Sequence, residues 1–260
     1  MKNELKKEIS QYLKNRKGDY SLYYKDLLNE DELKINEDEI FLAASVIKIP
    51  IMIEYFRQLE AGTIDPNELF IIPSSKRVGG SGILSELRKD IKMSLSEMIL
   101  LMIVLSDNTA TNLVIEKLGI NNINNFLENR NYDSCLKRKM MDYESRKKGI
   151  ENYIKADEIG EILQDIYESN FSIISKKSCE KMFSIMSRQK IRDKLSFYIP
   201  EDDWVKVASK TGTLDKVEHD ASIFNFANNK FVLVVLSKNL PTNAYGNVTI
   251  AKVAKKICGL

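Results

Sequence analysis

The sequence predicts an α+β protein, of the α/β sandwich type, in which both termini build one antiparallel sheet flanked by helices and an all-helical lobe is inserted between them. Three observations predict it: strand-forming residues follow a polar N-terminal helix, helical patterns fill the middle, and β-rich segments precede a final helix. The predicted α/β lobe comprises residues 1–42 and 189–260, and the helical lobe comprises residues 43–188. A ligand site is expected in the cleft between the lobes.

The elements of the first two thirds follow from local patterns. "MKNELKKEISQYLKN" is polar and amphipathic and ends before Gly18, where "DYSLYYKDLL" brings strand-forming residues. Ser94, followed three residues later by Glu97, forms a capping signal ahead of the apolar "MILLMIVL". Residues 155–169 repeat isoleucine and leucine at helical spacing, and helical patterns dominate residues 45–188.

The last third changes character. "VKVASKTGTL", "ASIFNFAN" and "KFVLVVLSKN" are β-rich, and the last two are joined by Asn228-Asn229, a pair suited to a short hairpin turn. "TIAKVAKKICGL" predicts a closing helix. The chain therefore places strands near both ends, as an antiparallel sheet built from both termini requires.

Composition excludes several classes of function. The net charge of +2 gives no reason to expect a nucleic-acid partner, and the basic run at residues 145–149 is expected to be a solvated face. Three cysteines without a Cys-x-x-Cys pair, and a single histidine, argue against a disulfide framework, a metal site or a cofactor. With neither a signal peptide nor a membrane span, the chain is expected to be a cytoplasmic monomer, or a secreted one if a leader has been removed.

"FLAASVIKIPIMIEYF" carries the first candidate for chemistry. Ser45 and Lys48 stand three residues apart at the start of an apolar helix. A buried ammonium is costly, which indicates that a neighbour uses it. Residues i and i+3 share one helix face, so the two side chains can approach each other near the positive end of the helix dipole. The alternative is an N-capping serine with a lysine that reaches solvent.

"LSDNTATN" and "SKTGT" carry the other two candidates. Ser106, Asp107 and Asn108 interrupt an apolar run, so they either cap a helix or face a cavity. Lys210 lies on a predicted strand with Gly212, and a glycine in a strand marks the close approach of a backbone or ligand. The alternative for "SKTGT" is a strand edge protected by lysine.

Ser-x-x-Lys, Ser-Asp-Asn and Lys-Thr-Gly, in this order, resemble the class A β-lactamase-like serine hydrolases and penicillin-binding proteins. "VGGSGIL" and "HDASIF" also look like segments of that family. The resemblance implies that Ser45 attacks the amide of a β-lactam or peptide-like substrate, that Lys48 accepts its proton, and that Ser106 relays a proton to the leaving nitrogen. The substrate-binding residues that the resemblance implies are Asn108, Lys210, Thr211, Gly212 and Thr213.

Product release is where the sequence departs from the family pattern. Family β-lactamases carry a Glu-x-x-Leu-Asn segment whose glutamate activates the deacylating water, and the chain has "LKRKMMDYESRKKGIENY" there instead. Asp142 stands about where that glutamate falls, Glu144 is the other candidate, and Arg146 stands in place of the asparagine. A solvated loop carboxylate is an equal alternative for Asp142.

The preferred interpretation is a hydrolase of the class A β-lactamase type that works through an acyl-enzyme on Ser45, with slow deacylation. Two alternatives stay open: a D-alanyl peptidase or esterase on the same site, and a penicillin-binding sensor that stays acylated. No arginine follows Lys210, so Lys216 or Lys238 is expected to replace the arginine with which family enzymes often hold the substrate carboxylate.

Overall fold

The computed structural model describes residues 3–87, 91–200 and 205–260. Residues 201–204, which belong to the predicted α/β lobe, lie outside the described residues. The α-helices, in chain order, are α1 Asn3–Lys14, α2 Lys48–Glu60, α3 Leu95–Val104, α4 Asn108–Leu118, α5 Ile120–Glu128, α6 Tyr143–Lys147, α7 Ala156–Glu168, α8 Lys176–Met186 and α9 Asn243–Cys258. The strands are β1 Asp19–Asp26, β2 Glu32–Ile35, β3 Phe41–Leu42, β4 Leu69–Ile72, β5 Ile91–Ser94, β6 Tyr153–Ile154, β7 Lys206–Leu214, β8 Val217–Asn225 and β9 Lys230–Lys238. Short 3-10 turns span Ala44–Ile47 and Ser74–Lys76.

The main sheet has the strand order β2-β1-β9-β8-β7, and each neighbouring pair is antiparallel. The first strand pairs with the ninth along its whole length, from Asp19 opposite Lys238 to Asp26 opposite Phe231. The hairpin between β8 and β9 turns at the predicted asparagine pair, where the Phe226 N–H donates to the Asn229 carbonyl. An antiparallel sheet built from both termini is thus confirmed.

The two faces of this sheet belong to two different hydrophobic cores. Since side chains alternate along a strand, neighbours such as Val234 and Val235 of β9 point to opposite faces. Val234 belongs to the core that holds α2, α3 and α7, whereas Val235 belongs to the core that holds α1 and α9. Both faces are covered, which explains why β8 and β9 are buried along nearly their whole length.

The middle of the chain is mainly helical but carries short strands as well. β4 pairs with β5, and β3 pairs with β6, so two-stranded ladders interrupt the segment that the sequence predicts as all-helical. β6 is only two residues long, Tyr153–Ile154, which is too short for a strand pattern to show in the sequence. α7 also contacts the main sheet directly. The lobe boundaries at 42/43 and 188/189 stay a prediction.

Local signals set several element ends. Ser94 caps α3 in the predicted capping box with Glu97, whose carboxylate accepts from the Ser94 N–H. The closing helix begins earlier than "TIAKVAKKICGL", because the Thr242 hydroxyl accepts from the Tyr245 N–H and starts α9 at Asn243. No helix within the described residues is long and apolar enough to cross a membrane.

Candidate active site

Ser45 lies in the 3-10 turn that leads into α2. The Lys48 N–H donates to the Ser45 carbonyl, a bond that places residues 45 and 48 on the same side of the turn. Ala44, just before the serine, has φ +45, a left-handed conformation that costs a non-glycine residue about 1–3 kcal/mol. The turn is entered from β3, where the Leu42 carbonyl lies 2.8 Å from Nε2 of the buried His219. The nucleophile candidate therefore sits on a tightly held, strained backbone.

β7 packs against this turn because residue 212 is glycine. A Cβ added to Gly212 would lie 3.0 Å from the Ala44 Cβ and 3.2 Å from the Ser45 amide nitrogen. Any larger residue would push the strand away from the turn. This close approach brings the "SKTGT" strand beside the candidate nucleophile, as the glycine in the predicted strand indicates.

The "LSDNTATN" segment forms the sharp joint between α3 and α4. Ser106 has φ +55, and Asp107 caps α4 by accepting from the Ala110 N–H. The second Asp107 oxygen accepts from the Ile83 and Leu84 N–H groups at 2.7 and 2.8 Å. Asp107 therefore caps a helix, one of the two alternatives that the sequence leaves open, and it also fastens the 78–84 segment to the joint between α3 and α4.

Four side chains, which we call the lysine centre, meet where α2, the joint between α3 and α4, and β7 come together: Lys48, Ser106, Asn108 and Lys210. Lys48 Nζ donates to the Ser106 carbonyl at 2.7 Å, to Ser106 Oγ at 3.0 Å and to Asn108 Oδ1 at 2.9 Å. Lys210 Nζ donates to the same Ser106 Oγ at 3.1 Å. The structure thus brings together one member of each sequence motif with Asn108.

The side chains of Ser45 and Lys48 are not hydrogen-bonded to each other. Ser45 makes no side-chain hydrogen bond to any described residue, and Lys48 directs its three donors at Ser106 and Asn108. An ammonium has three N–H donors, and all three are used there. Nor does Ser45 act as a capping serine, since no side-chain cap bond is present at this turn or at the start of α2.

Burial shifts the proton affinity of both lysines. Lys48 is fully buried, and this desolvation lowers its pKa to about 7, while the charge of Asp107 works in the other direction. Burial also holds the pKa of Lys210 well below its usual value, and the charges of Lys48 and Lys194 add to that effect. A lysine near neutrality at physiological pH can accept a proton, which an ordinary lysine cannot.

A cleft of about 260 Å³ lies next to the lysine centre and shares Asn108 with it. Ser45, Asn108 and Thr213 line it, together with Gly80 and Ser81 of the "VGGSGIL" segment. Other lining residues come from residues 137–152, a segment that contains α6 and ends at β6, and which we call the 137–152 loop. They are Arg138, Met140, Met141, Tyr143, Arg146, Glu151 and Asn152. A small concave site with a hydroxyl and a buried amine next to it is suited to acyl transfer.

Comparison with known proteins agrees with this geometry. The sequence profile of the β-lactamase enzyme family matches residues 4–259. The chain belongs to this family. β-Lactamase VEB-1 of Pseudomonas aeruginosa is 22% identical over an alignment 241 residues long, which covers 87% of this chain and 80% of that protein.

Solved structures show the same fold. The crystal structure of a β-lactamase from Sphaerobacter thermophilus DSM 20745 has a TM-score of 0.91 at 26% identity and covers 99% of this chain and 96% of its own. A mutant of PBP-A, solved as an acyl-enzyme complex with penicillin G, has a TM-score of 0.86 at 23% identity, with coverage of 98% and 94%. Our chain is therefore a β-lactamase-like hydrolase.

A lysine that the sequence does not single out, Lys194, lies beside Thr213. Lys194 is buried, and its Nζ lies 3.4 Å from Thr213 Oγ1 and 3.1 Å from Glu218 Oε2. The expected replacements lie elsewhere: Lys238 pairs with Glu39 at 2.7 Å, and neither Lys216 nor Lys238 is among the described residues that line the cleft. Lys194 precedes the Lys-Thr-Gly motif, so a search for a cation after that motif does not find it.

The predicted carboxylates of the 137–152 loop lie outside the lining of the cleft as far as the structure describes it. Asp142 caps α6: its carboxylate accepts from the Ser145 N–H at 3.0 Å and the Ser145 hydroxyl at 2.7 Å, and these bonds lower its pKa. Glu144 is largely exposed and pairs with Lys147. Whether either residue activates water stays a prediction.

Glu151, another carboxylate of this loop, does line the cleft, and the sequence does not single it out as a site residue. Arg138 donates to its Oε2 through Nε and Nη2 at 2.9 and 2.6 Å, and Arg146 Nε lies 3.0 Å from Oε1. Asn152, the next residue, closes the loop. The Asn152 side chain accepts from the Lys137 and Arg138 N–H groups.

Proposed function

We propose that this protein is a serine hydrolase of the class A β-lactamase type, which opens the β-lactam amide through an acyl-enzyme on Ser45. The observation that carries the proposal is the lysine centre. A fully buried Lys48, with its pKa lowered to about 7, is hydrogen-bonded to Ser106 and to Asn108, and Asn108 lines the same cleft as Ser45. Membership of the β-lactamase enzyme family supports it.

In the proposed acylation step, Ser45 Oγ bonds to the substrate carbonyl carbon and gives its proton to the neutral amine of Lys48. The Ser45 and Thr213 N–H groups stabilise the developing oxyanion. Ser106 then passes a proton from Lys48 to the ring nitrogen, and the carbon–nitrogen bond breaks. The 3.0 Å contact between Lys48 Nζ and Ser106 Oγ supports this relay.

Substrate positioning is assigned to Asn108 and the β7 strand. Asn108 lines the cleft and is held by Lys48 and by its own bond to the Gly79 carbonyl at 3.0 Å, so it can present its amide to the substrate amide. Lys210, Thr211 and Thr213 are proposed to hold the substrate carboxylate. The Lys194 ammonium behind Thr213 would support that role, although Glu218 pairs with it.

Release is proposed to be slow. Hydrolysis of the acyl-enzyme needs an activated water, and the carboxylate that lines the cleft, Glu151, is engaged by Arg138 and Arg146. Asp142 remains the proposed water-activating residue, but its oxygens are occupied by Ser145. A base misplaced by about 1 Å loses a factor of about a hundred. This observation favours a second candidate function, a penicillin-binding sensor that stays acylated.

Labelling and turnover, measured together, test the proposal. A fluorescent penicillin should add one adduct per chain on the peptide that holds Ser45, and Ser45→Ala should fold and remain unlabelled. A chromogenic cephalosporin should give a burst of product roughly equal to the enzyme, followed by slow turnover. An adduct on Ser106 instead would overturn the assignment. Permanent labelling without turnover would favour the sensor over the hydrolase.

A further inference from the structure

The basic side chains of the 137–152 loop are a feature that the acyl-transfer chemistry leaves without a role. Residues 137–151 carry three acidic side chains and six basic ones: Lys137, Arg138, Lys139, Arg146, Lys147 and Lys148. The sequence predicts a solvated face for residues 145–149. Arg146, Lys147 and Lys148 are all exposed, and Arg146 also lines the cleft.

Arg146 differs from the other arginine of the loop in its unused donors. All three nitrogens of the Arg138 guanidinium donate a hydrogen bond, Nε and Nη2 to Glu151 and Nη1 to the Lys139 carbonyl. Arg146 Nε lies 3.0 Å from Glu151 Oε1, and its two terminal amino groups donate no hydrogen bond to a described residue. One carboxylate thus faces two guanidinium groups, which leaves one positive charge in excess, and Arg146 is the arginine whose two terminal amino groups are both available to a ligand.

Tyr143 is an aromatic residue on the same short helix as Arg146. Residues 143 and 146 are three apart on α6 and therefore lie on one helix face, and both line the cleft. The tyrosine is 55% exposed, so its ring is available to a ligand.

A short series of contacts connects this face with Asn108. A Cβ added to Gly80 would lie 2.7 Å from Asn108 Nδ2 and 3.1 Å from Met141 Sδ, so those two side chains meet over the glycine. The Tyr143 hydroxyl lies 4.0 Å from the same sulfur. A substrate whose amide is held at Asn108, and whose leaving side lies along β7, must extend its acyl side chain toward Met141 and α6.

We propose that Arg146, with Tyr143 on the same helix, determines specificity by binding a carboxylate on the acyl side chain of the substrate. This inference rests on the proposed function, since Asn108 and β7 define the substrate's direction. Two terminal guanidinium amino groups can bind a carboxylate in bidentate fashion, which a lysine cannot do. The favoured substrate class is an amide whose acyl side chain carries a second anionic group.

The test compares two penicillins that differ by this one carboxylate: benzylpenicillin, with a phenylacetyl side chain, and carbenicillin, with a phenylmalonyl side chain. Equilibrium binding is measured by calorimetric titration with Ser45→Ala, which cannot be acylated. Carbenicillin should bind about three- to fivefold more tightly, the size expected for a half-exposed ion pair. Adding Arg146→Gln should remove the preference, and Arg146→Lys should restore only part of it.

Lys147→Gln is the matched control, because it removes the same charge from the next residue, which is exposed and absent from the cleft lining. It should keep the preference. Raising the ionic strength from about 0.05 M to about 0.5 M should shrink the preference through screening. Equal binding of the two penicillins, or equal loss of preference in Lys147→Gln and Arg146→Gln, overturns the inference.

Acylation of the unsubstituted protein separates this inference from the proposed function. If neither penicillin acylates Ser45 but Ser45→Ala still prefers carbenicillin in an Arg146-dependent way, the proposed function fails and the anion site stands. If both penicillins acylate Ser45 at equal rates and Ser45→Ala binds them equally, the anion site fails and the proposed function stands.

Discussion

The lysine centre and the 137–152 loop border the same cleft, but they hold their polar groups in different ways. In the centre, the Lys48 amine is buried and bonded to side chains and backbone from a distant segment, Ser106–Asn108. In the loop, Asp142 is partly exposed and bonds to Ser145, and Glu144 is largely exposed and pairs with Lys147. Each partner is three residues away. Groups fixed by burial are pre-organised for chemistry, whereas locally satisfied groups serve the loop itself. The groups assigned to the proposed acylation step are therefore better organised than those assigned to the proposed release step.

The largest expected effect comes from substituting Lys48 in the lysine centre. Lys48→Arg keeps the positive charge but removes a group that can lose its proton, so acylation by a fluorescent penicillin should slow by about a hundredfold or more. Stopped-flow fluorescence gives the rate. Lys147→Arg, the same change on the exposed loop, should leave the acylation rate unaltered. Near-normal acylation in Lys48→Arg would show that another residue is the general base.

The two capping aspartates sharpen the comparison through stability. Asp107→Ala leaves three backbone N–H groups around a buried site without their acceptor, and we expect the free energy of unfolding to fall by about 3 kcal/mol. Asp142→Ala removes the cap of the exposed α6 and should cost about 1 kcal/mol or less. Urea unfolding followed by circular dichroism measures both, and equal losses would contradict the contrast between the two regions.

The pH dependence of acylation probes the centre without a substitution. Because burial lowers the pKa of Lys48 to about 7, its amine is charged below that pH, and acylation should fall about tenfold per unit as the pH drops further. The unfolded chain keeps a lysine pKa of 10.5 and binds more protons than the folded chain between about pH 7 and that value. This group should therefore make the free energy of unfolding rise with pH across that window. A pH-independent acylation rate between about pH 5 and about pH 8 would refute the assignment.

The smallest expected effect belongs to the loop. Asp142→Asn retains a capping side chain and should leave the product burst intact. The later phase should slow, by about threefold or less, because a carboxylate held by Ser145 is a poorly placed base. Glu144→Gln is the parallel variant. A loss of about a hundredfold in the later phase of Asp142→Asn would show that the loop rearranges to activate water.

The sequence predicted the features that depend on neighbouring residues or on ordered motifs. Four of the five strands of the main sheet (β1, β7, β8 and β9), the Ser94 capping box and the β-lactamase family resemblance are confirmed, and Asp107 caps a helix, one of the two alternatives for its segment. These follow from short patterns, in which a few adjacent side chains decide the local backbone.

What the sequence did not predict depends on tertiary contacts. Lys194 acquires its place beside Thr213 only when the segment before β7 folds against the end of that strand. Glu151 enters the cleft because Arg138 and Arg146 hold it there. In each case the partner is set by the folded arrangement, and a lone lysine or glutamate in a sequence gives no sign of it.

The pairing of β1 with β9 has a consequence for biogenesis. Asp19 lies opposite Lys238, so the first strand waits unpaired on one side while more than two hundred later residues leave the ribosome. β7, which completes the wall beside Ser45, joins the sheet through β8 and β9. Long-range pairing of this kind folds slowly and exposes strand edges meanwhile. A nascent chain stopped before Lys230 should therefore take up no penicillin, and reactivity toward penicillin should report the moment at which synthesis passes β9.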